Sequence, residues 1–113
     1  MTEKQIQTAY FAWLELKYRY AFYQSLHPRS AVNAGKEFLR KLEGNTAGAP
    51  DILILLPLNG YHGLAIELKT ERNYKIQDNQ RNWIDCLNLY GYYARICFGL
   101  DSAIAETEKY FGK

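Results

Sequence analysis

Little in this chain could crosslink it or hold a soft metal. It has two cysteines and two histidines in 113 residues. Cys86 and Cys97 make neither a disulfide framework nor a zinc site, and both lie in apolar surroundings that read as buried small hydrophobes. His27 sits beside a proline and His62 in a turn, and neither has a ligand partner at helical or strand spacing. No stretch approaches the roughly 18 apolar residues of a membrane span. The start, MTEKQIQ, lacks the charged-then-apolar layout of a signal peptide. Repeats, low-complexity tracts and linkers are missing too. Neither sign of charge dominates: 14 basic residues face 12 acidic ones, a balance that neither demands nor excludes nucleic acid. These absences leave one ordinary globular domain over residues 1–113, expected in a reducing cytosol.

What is present is a run of helix and strand patterns. Residues 3–24 read as a helix capped by Thr2, with Ile6, Ala9, Tyr10, Trp13, Leu16, Tyr20 and Ala21 as an apolar stripe. Phe11, Tyr18 and Phe22 form a second aromatic stripe, which suits a partner subunit. Residues 31–43 read as a short basic amphipathic helix. Residues 51–57 and 63–69 are apolar runs of strand length separated by Asn59-Gly60 turn chemistry. A helix over 77–90, stopped by Gly91, leads to a third strand over 92–98 and a last helix capped by Asp101. Apolar residues on both faces of the strands call for helices packed over the sheet. The predicted architecture is α/β, a small mixed sheet flanked by helices in the order ααββαβα. The crossover through the helix at 77–90 makes its two strands parallel.

Three polar side chains are out of place in that buried sheet. Asp51 opens the first strand, and Glu67 and Lys69 end the second. Side chains alternate along a strand, so Glu67 and Lys69 point the same way. If the two runs pair as a hairpin, Asp51 comes beside them. Two acids and a lysine at one end of a sheet can bind a divalent metal and activate a water. Each alone could be a turn residue or a surface ion pair; together they point to a site.

With these residues in view, the chain resembles the PD-(D/E)xK nucleases, and more narrowly the stand-alone VRR-NUC domains found largely in phages and bacteria. The resemblance rests on Gly48-x-Pro50-Asp51, Gly63 and Ile66-Glu67-Leu68-Lys69-Thr70. It extends to Glu3-x-x-Ile6-Gln7, to Lys41-Leu42-Glu43-Gly44, and to Gln80 followed by Trp83 and Gly91-Tyr92. One stretch departs from the pattern. Where the family often has a Gly- or Ser-rich basic approach to the Gln-bearing helix, this chain has Glu71-Arg72-Asn73-Tyr74-Lys75.

The resemblance implies a restriction-endonuclease-like core and a Mg²⁺-dependent endonuclease, with Mn²⁺ able to substitute, in the cytoplasm of a bacterial or phage-infected cell. Asp51 and Glu67 would be metal ligands, with the Leu68 carbonyl a third, since Mg²⁺ prefers oxygen. Lys69 would stabilise charge and orient the attacking water, because an ordinary lysine is too basic to accept a proton at neutral pH. Gln80 would reach the water or the phosphate. Glu3 would be the helix-borne acid, with Glu15 its rival on the same helix. Lys36, Arg40, Lys41, Arg72 and Lys75 are candidate phosphate contacts, which position DNA without reading its sequence. The implied substrate is branched DNA such as a four-way (Holliday) junction, cut by a homodimer. A less selective nicking or flap nuclease, and a non-catalytic DNA-binding module, are the alternatives.

Overall fold

The computed structural model of the protein describes residues 1–18, 23–25 and 48–112. In chain order the elements are α1 (Glu3–Lys17), β1 (Tyr23–Ser25), β2 (Ile52–Ile54), β3 (Leu64–Lys69), α2 (Asp78–Leu89), β4 (Tyr93–Phe98) and α3 (Leu100–Tyr110). The strands form one sheet in the order β1-β2-β3-β4. β1, β2 and β3 pair antiparallel, whereas β3 and β4 pair parallel across the α2 crossover. The mixed α/β sheet expected from the sequence is therefore present. The helix expected over 31–43 lies outside the described residues.

The first helix is a correction. Expected over 3–24, it ends at Lys17, and Tyr23–Ser25 is a strand pairing with Ile52–Ile54. Among the described residues a strand absent from the expected order thus follows α1. Its start is as expected: Thr2 caps it, exchanging hydrogen bonds with Gln5. No Gly or Pro marks its end. What stops it is tertiary: the Tyr18 ring stacks on Phe111 at 3.9 Å, nearly parallel, and meets Trp13 edge-on. Lys17 beside it pairs with Glu108 of α3. Phe11 and Tyr18 both pack against the chain's own core, so two members of the aromatic stripe expected to meet a partner are used internally. The third, Phe22, lies outside the described residues.

All six residues of β3 are buried, and alternation sorts them between two layers. Leu64, Ile66 and Leu68 join Ile52 and Ile54 against Ile6, Tyr10 and Leu14 of α1 and Ala103 and Tyr110 of α3. Ala65 belongs to the other layer, with Ala94, Ile84 of α2, Leu53, Leu87 and Ile96. Fully burying an aliphatic side chain contributes about 1.5–3 kcal/mol, so the first and larger layer dominates stability. Two buried hydroxyls stitch its helices together. Thr107 Oγ1 donates to the Ala103 carbonyl at 2.8 Å and so accepts from Tyr10 Oη at 2.6 Å. The core face of α3 is Ala103, Thr107 and Tyr110. Gly99, not Asp101, occupies its cap. Cys97 is buried as expected, but Cys86 is exposed. Among the described residues no helix is long and apolar enough to cross a membrane.

Two turns place the acids. Asn59 and Gly60 both adopt positive φ, and Tyr61 N donates to the Leu58 carbonyl, closing the hairpin between β2 and β3. Gly48 opens the Gly-x-Pro-Asp turn at φ 88°. A Cβ there would come within 2.7–2.8 Å of the backbone of Asn79, in the first turn of α2. The turn before Asp51 and the helix carrying Gln80 therefore touch backbone to backbone, which only glycine permits. Gly48→Ala is expected to destabilise the chain by about 1–3 kcal/mol through strain and overpacking. Urea unfolding checks this; a variant within a few tenths of wild type would mean the contact is slack.

Candidate active site

β2 and β3 pair with Ile52 opposite Ile66, and this register carries Asp51 to the level of Glu67. Glu67 and Lys69 leave β3 on the same side as Ala65, the side covered by α2. The hairpin arrangement expected from the sequence is thus what assembles the three side chains. All are buried: Asp51 and Glu67 are 4% exposed and Lys69 1%. Burying charge is costly unless it is paired or hydrogen-bonded, so the partners decide what the cluster is.

Asp51 Oδ2 accepts a 2.7 Å hydrogen bond from the backbone N–H of Leu68. Leu68, expected to contribute its carbonyl, is thus seen engaging the cluster through its N–H. Lys69 Nζ donates to Gln80 Oε1 at 2.8 Å and stands 4.0 Å from Glu67 Oε2. The Gln80 amide closes the circuit by donating from Nε2 to Glu67 Oε2 at 3.1 Å. Gln80 Oε1 also accepts from the backbone N–H of Gln77, the α2 cap, at 2.9 Å. Two donors converge on that oxygen, which fixes the orientation of the amide.

The electrostatics are those of a crowded acid pair. Burial, then the charge of Asp51, pushes the Glu67 carboxyl up to about 8; Lys69 pulls it down and Glu3 adds a smaller upward push. Glu3 is half-buried at the start of α1, and its Oε2 accepts from Asn73 Nδ2 at 3.0 Å. Glu15 is exposed, about 18 Å farther along the helix by its rise. Of the two rival acids, Glu3 is therefore the one near the cluster. Gln7, a turn after Glu3, is buried on the same helix.

Arg72 and Lys75 are exposed in the connection between β3 and α2. Lys36, Arg40 and Lys41 lie outside the described residues. Two contributors were not anticipated. Asn73 holds Glu3 from a turn that its own N–H closes onto Thr70 Oγ1 at 2.9 Å; the Thr-x-x-Asn spacing was the available signal. Gln77 anchors Gln80, and the Gln-x-x-Gln spacing at a helix start was readable as a capping box.

The donor set suits a hard divalent cation. Among the described residues Glu67 Oε1 is buried with no hydrogen-bond partner, an acceptor that a cation would satisfy. No three acid, histidine or cysteine side chains among the described residues converge as a ready cage. Mg²⁺ does not require one: it is usually held by one or two carboxylates, with waters and substrate phosphate completing its shell.

The comparisons with known proteins bear on the family and the fold. The VRR-NUC domain family matches residues 1–100. A solved structure described as a VRR_NUC domain protein superposes with a TM-score of 0.73 and 29% sequence identity, covering 97% of this chain and 88% of that one. No curated protein matches. Sequence motif, family match and shared fold lead to one assignment: the chain belongs to the VRR-NUC family of nucleases.

Proposed function

We propose that this chain is a divalent-metal-dependent endonuclease that hydrolyses phosphodiester bonds in branched DNA such as four-way junctions, acting as a homodimer. The observation that carries the catalytic part is the buried meeting of Asp51, Glu67 and Lys69 at one end of the sheet, with one Glu67 oxygen lacking a hydrogen-bond partner among the described residues. Asp51 and Glu67 would hold Mg²⁺ or Mn²⁺, with the Leu68 carbonyl as a further oxygen. Such an ion supplies charge neutralisation on the phosphate and an activated water.

The chain's own residues do the rest. Gln80 holds the Lys69 ammonium on the Glu67 side of the strand, so a fixed positive charge faces the phosphate as negative charge develops there. The same amide can donate to a water or to a phosphate oxygen once Glu67 turns to a cation. Glu3, tethered by Asn73, is the acid placed to help hold a second ion or the first ion's water. Exposed Arg72 and Lys75 suit phosphate contacts that register the DNA without reading its bases. Two symmetric cuts across a junction need two sites related by a two-fold axis, hence the dimer.

Labelled four-way junction and matched linear duplex, each incubated with Mg²⁺ or Mn²⁺, provide the test. Metal-dependent cutting of the junction in preference to the duplex is the expected result. Equal cutting of both would retain the catalytic cluster and discard the branched substrate. No cutting of either by folded protein would sink the catalytic reading.

A further inference from the structure

An open cleft of about 800 Å³ runs past the C-terminal ends of β3 and β4, between the start of α1, the turn after β3 and the start of α3. It shares Glu3 with the surroundings of the acid–lysine cluster, and Thr70 in its wall follows Lys69 directly. Two aromatic rings stand open in its lining: Tyr74 is 58% exposed and Phe98 53%. Phe98 pairs with Lys69 in the parallel register, so both side chains leave the sheet on one face. An aromatic ring thus stands immediately beside the catalytic lysine, uncovered, in a chain whose sheet is otherwise buried there.

The charges of this cleft do not mark it as a phosphate track. Among the described residues its charged lining groups are Glu3, Glu71, Arg72 and the Met1 amino group, two of each sign. A groove that tracks phosphates is basic. This lining instead offers two ring faces and a guanidinium, which is what a flat, uncharged heterocycle stacks on.

We propose that Phe98 and Tyr74 form a stacking site for an unpaired nucleobase of the cut strand, next to the scissile phosphate, with Arg72 at its edge. The proposal rests on the nuclease reading and narrows its substrate. A base held in a duplex is stacked and paired, so a strand enters this site where nucleotides are unpaired or are extruded at the cut.

The test is equilibrium binding in EDTA, where no cleavage intervenes, of fluorescently labelled single-stranded DNA and of matched linear duplex. Phe98→Leu keeps apolar bulk but removes the ring. It is expected to weaken single-strand binding roughly 5- to 100-fold, while duplex binding moves less than about twofold. Phe98→Tyr should bind as wild type. A single abasic nucleotide scanned through the strand should reproduce the loss at one position in wild type and add nothing in Phe98→Leu. Unchanged single-strand affinity, or equal losses on both DNAs, overturns the stacking site. If Phe98→Leu fails to give a native circular dichroism spectrum, Tyr74→Leu in the exposed turn decides by the same criteria. Cleavage by wild type is measured in parallel. Cutting without any effect of the ring variants removes this proposal alone, whereas a ring effect without cutting removes the nuclease reading alone.

Discussion

Asp51→Asn should fold like wild type and cut DNA roughly a hundred- to a thousandfold more slowly, or not measurably. The choice of asparagine follows from the hydrogen bond that Asp51 Oδ2 accepts from the Leu68 N–H. An asparagine carbonyl can keep that bond while removing the charge a cation needs. Asp51→Ala would strand a buried N–H, at about 1–3 kcal/mol, and confuse a folding defect with a catalytic one. Single-turnover cleavage at saturating metal, beside a thermal melt, separates the two effects. An asparagine variant that cuts within tenfold of wild type would show that Asp51 serves the turn rather than the reaction.

Glu67→Gln should change how the protein responds to pH and to metal, apart from abolishing cleavage. In the metal-free chain Glu67 is raised from 4.5 to about 8, so the folded state holds its proton more tightly than the unfolded state does. Its stabilising contribution is then complete below the unfolded value, near 4.5, and is lost as pH rises through the folded value. Wild type should therefore melt at progressively lower temperature between about pH 5 and pH 8. The glutamine variant, a neutral match for the protonated acid, should lack this component of the slope. A divalent cation works in the opposite direction, since it binds the deprotonated carboxylate. At a hundred times its dissociation constant it stabilises the native state by about 2.7 kcal/mol. At pH 8, Mn²⁺ should thus raise the wild-type melting temperature by several degrees and leave Glu67→Gln nearly unmoved. Melting curves from pH 5 to pH 8.5, with and without MnCl₂, read both effects. Equal metal shifts in the two proteins would place the ion elsewhere.

How much of this was legible in the sequence depended on whether the signal was local. The convergence of Asp51, Glu67 and Lys69 followed from strand alternation and one hairpin, and both hold in the structure. Gln80 was legible through its place one turn into a helix, although its two-sided hydrogen bonding was not. The end of α1 was not legible. Tyr18 to Phe22 continue a helical apolar pattern, and what interrupts it is Phe111, far away in sequence. Tertiary packing overrode a periodicity that fitted two structures equally. The placement of Glu3 beside the cluster, rather than Glu15, depends likewise on Asn73 reaching back across the fold. The burial of Thr107 on α3 has a similar origin, in its bond to Tyr10 rather than in its own hydrophobicity.

The contrast between the two thiols has a practical consequence. Burial pushes the Cys97 thiol up to about 11, which keeps it protonated and shielded at neutral pH. Cys86 is exposed, and the chain has no third cysteine. A maleimide dye will therefore attach at a single native position on α2, six residues beyond Gln80. The helix whose Gln80 holds Lys69 comes with its own attachment point for a fluorophore. Added Mn²⁺ or DNA can then be tested for a signal there in real time on the unaltered sequence.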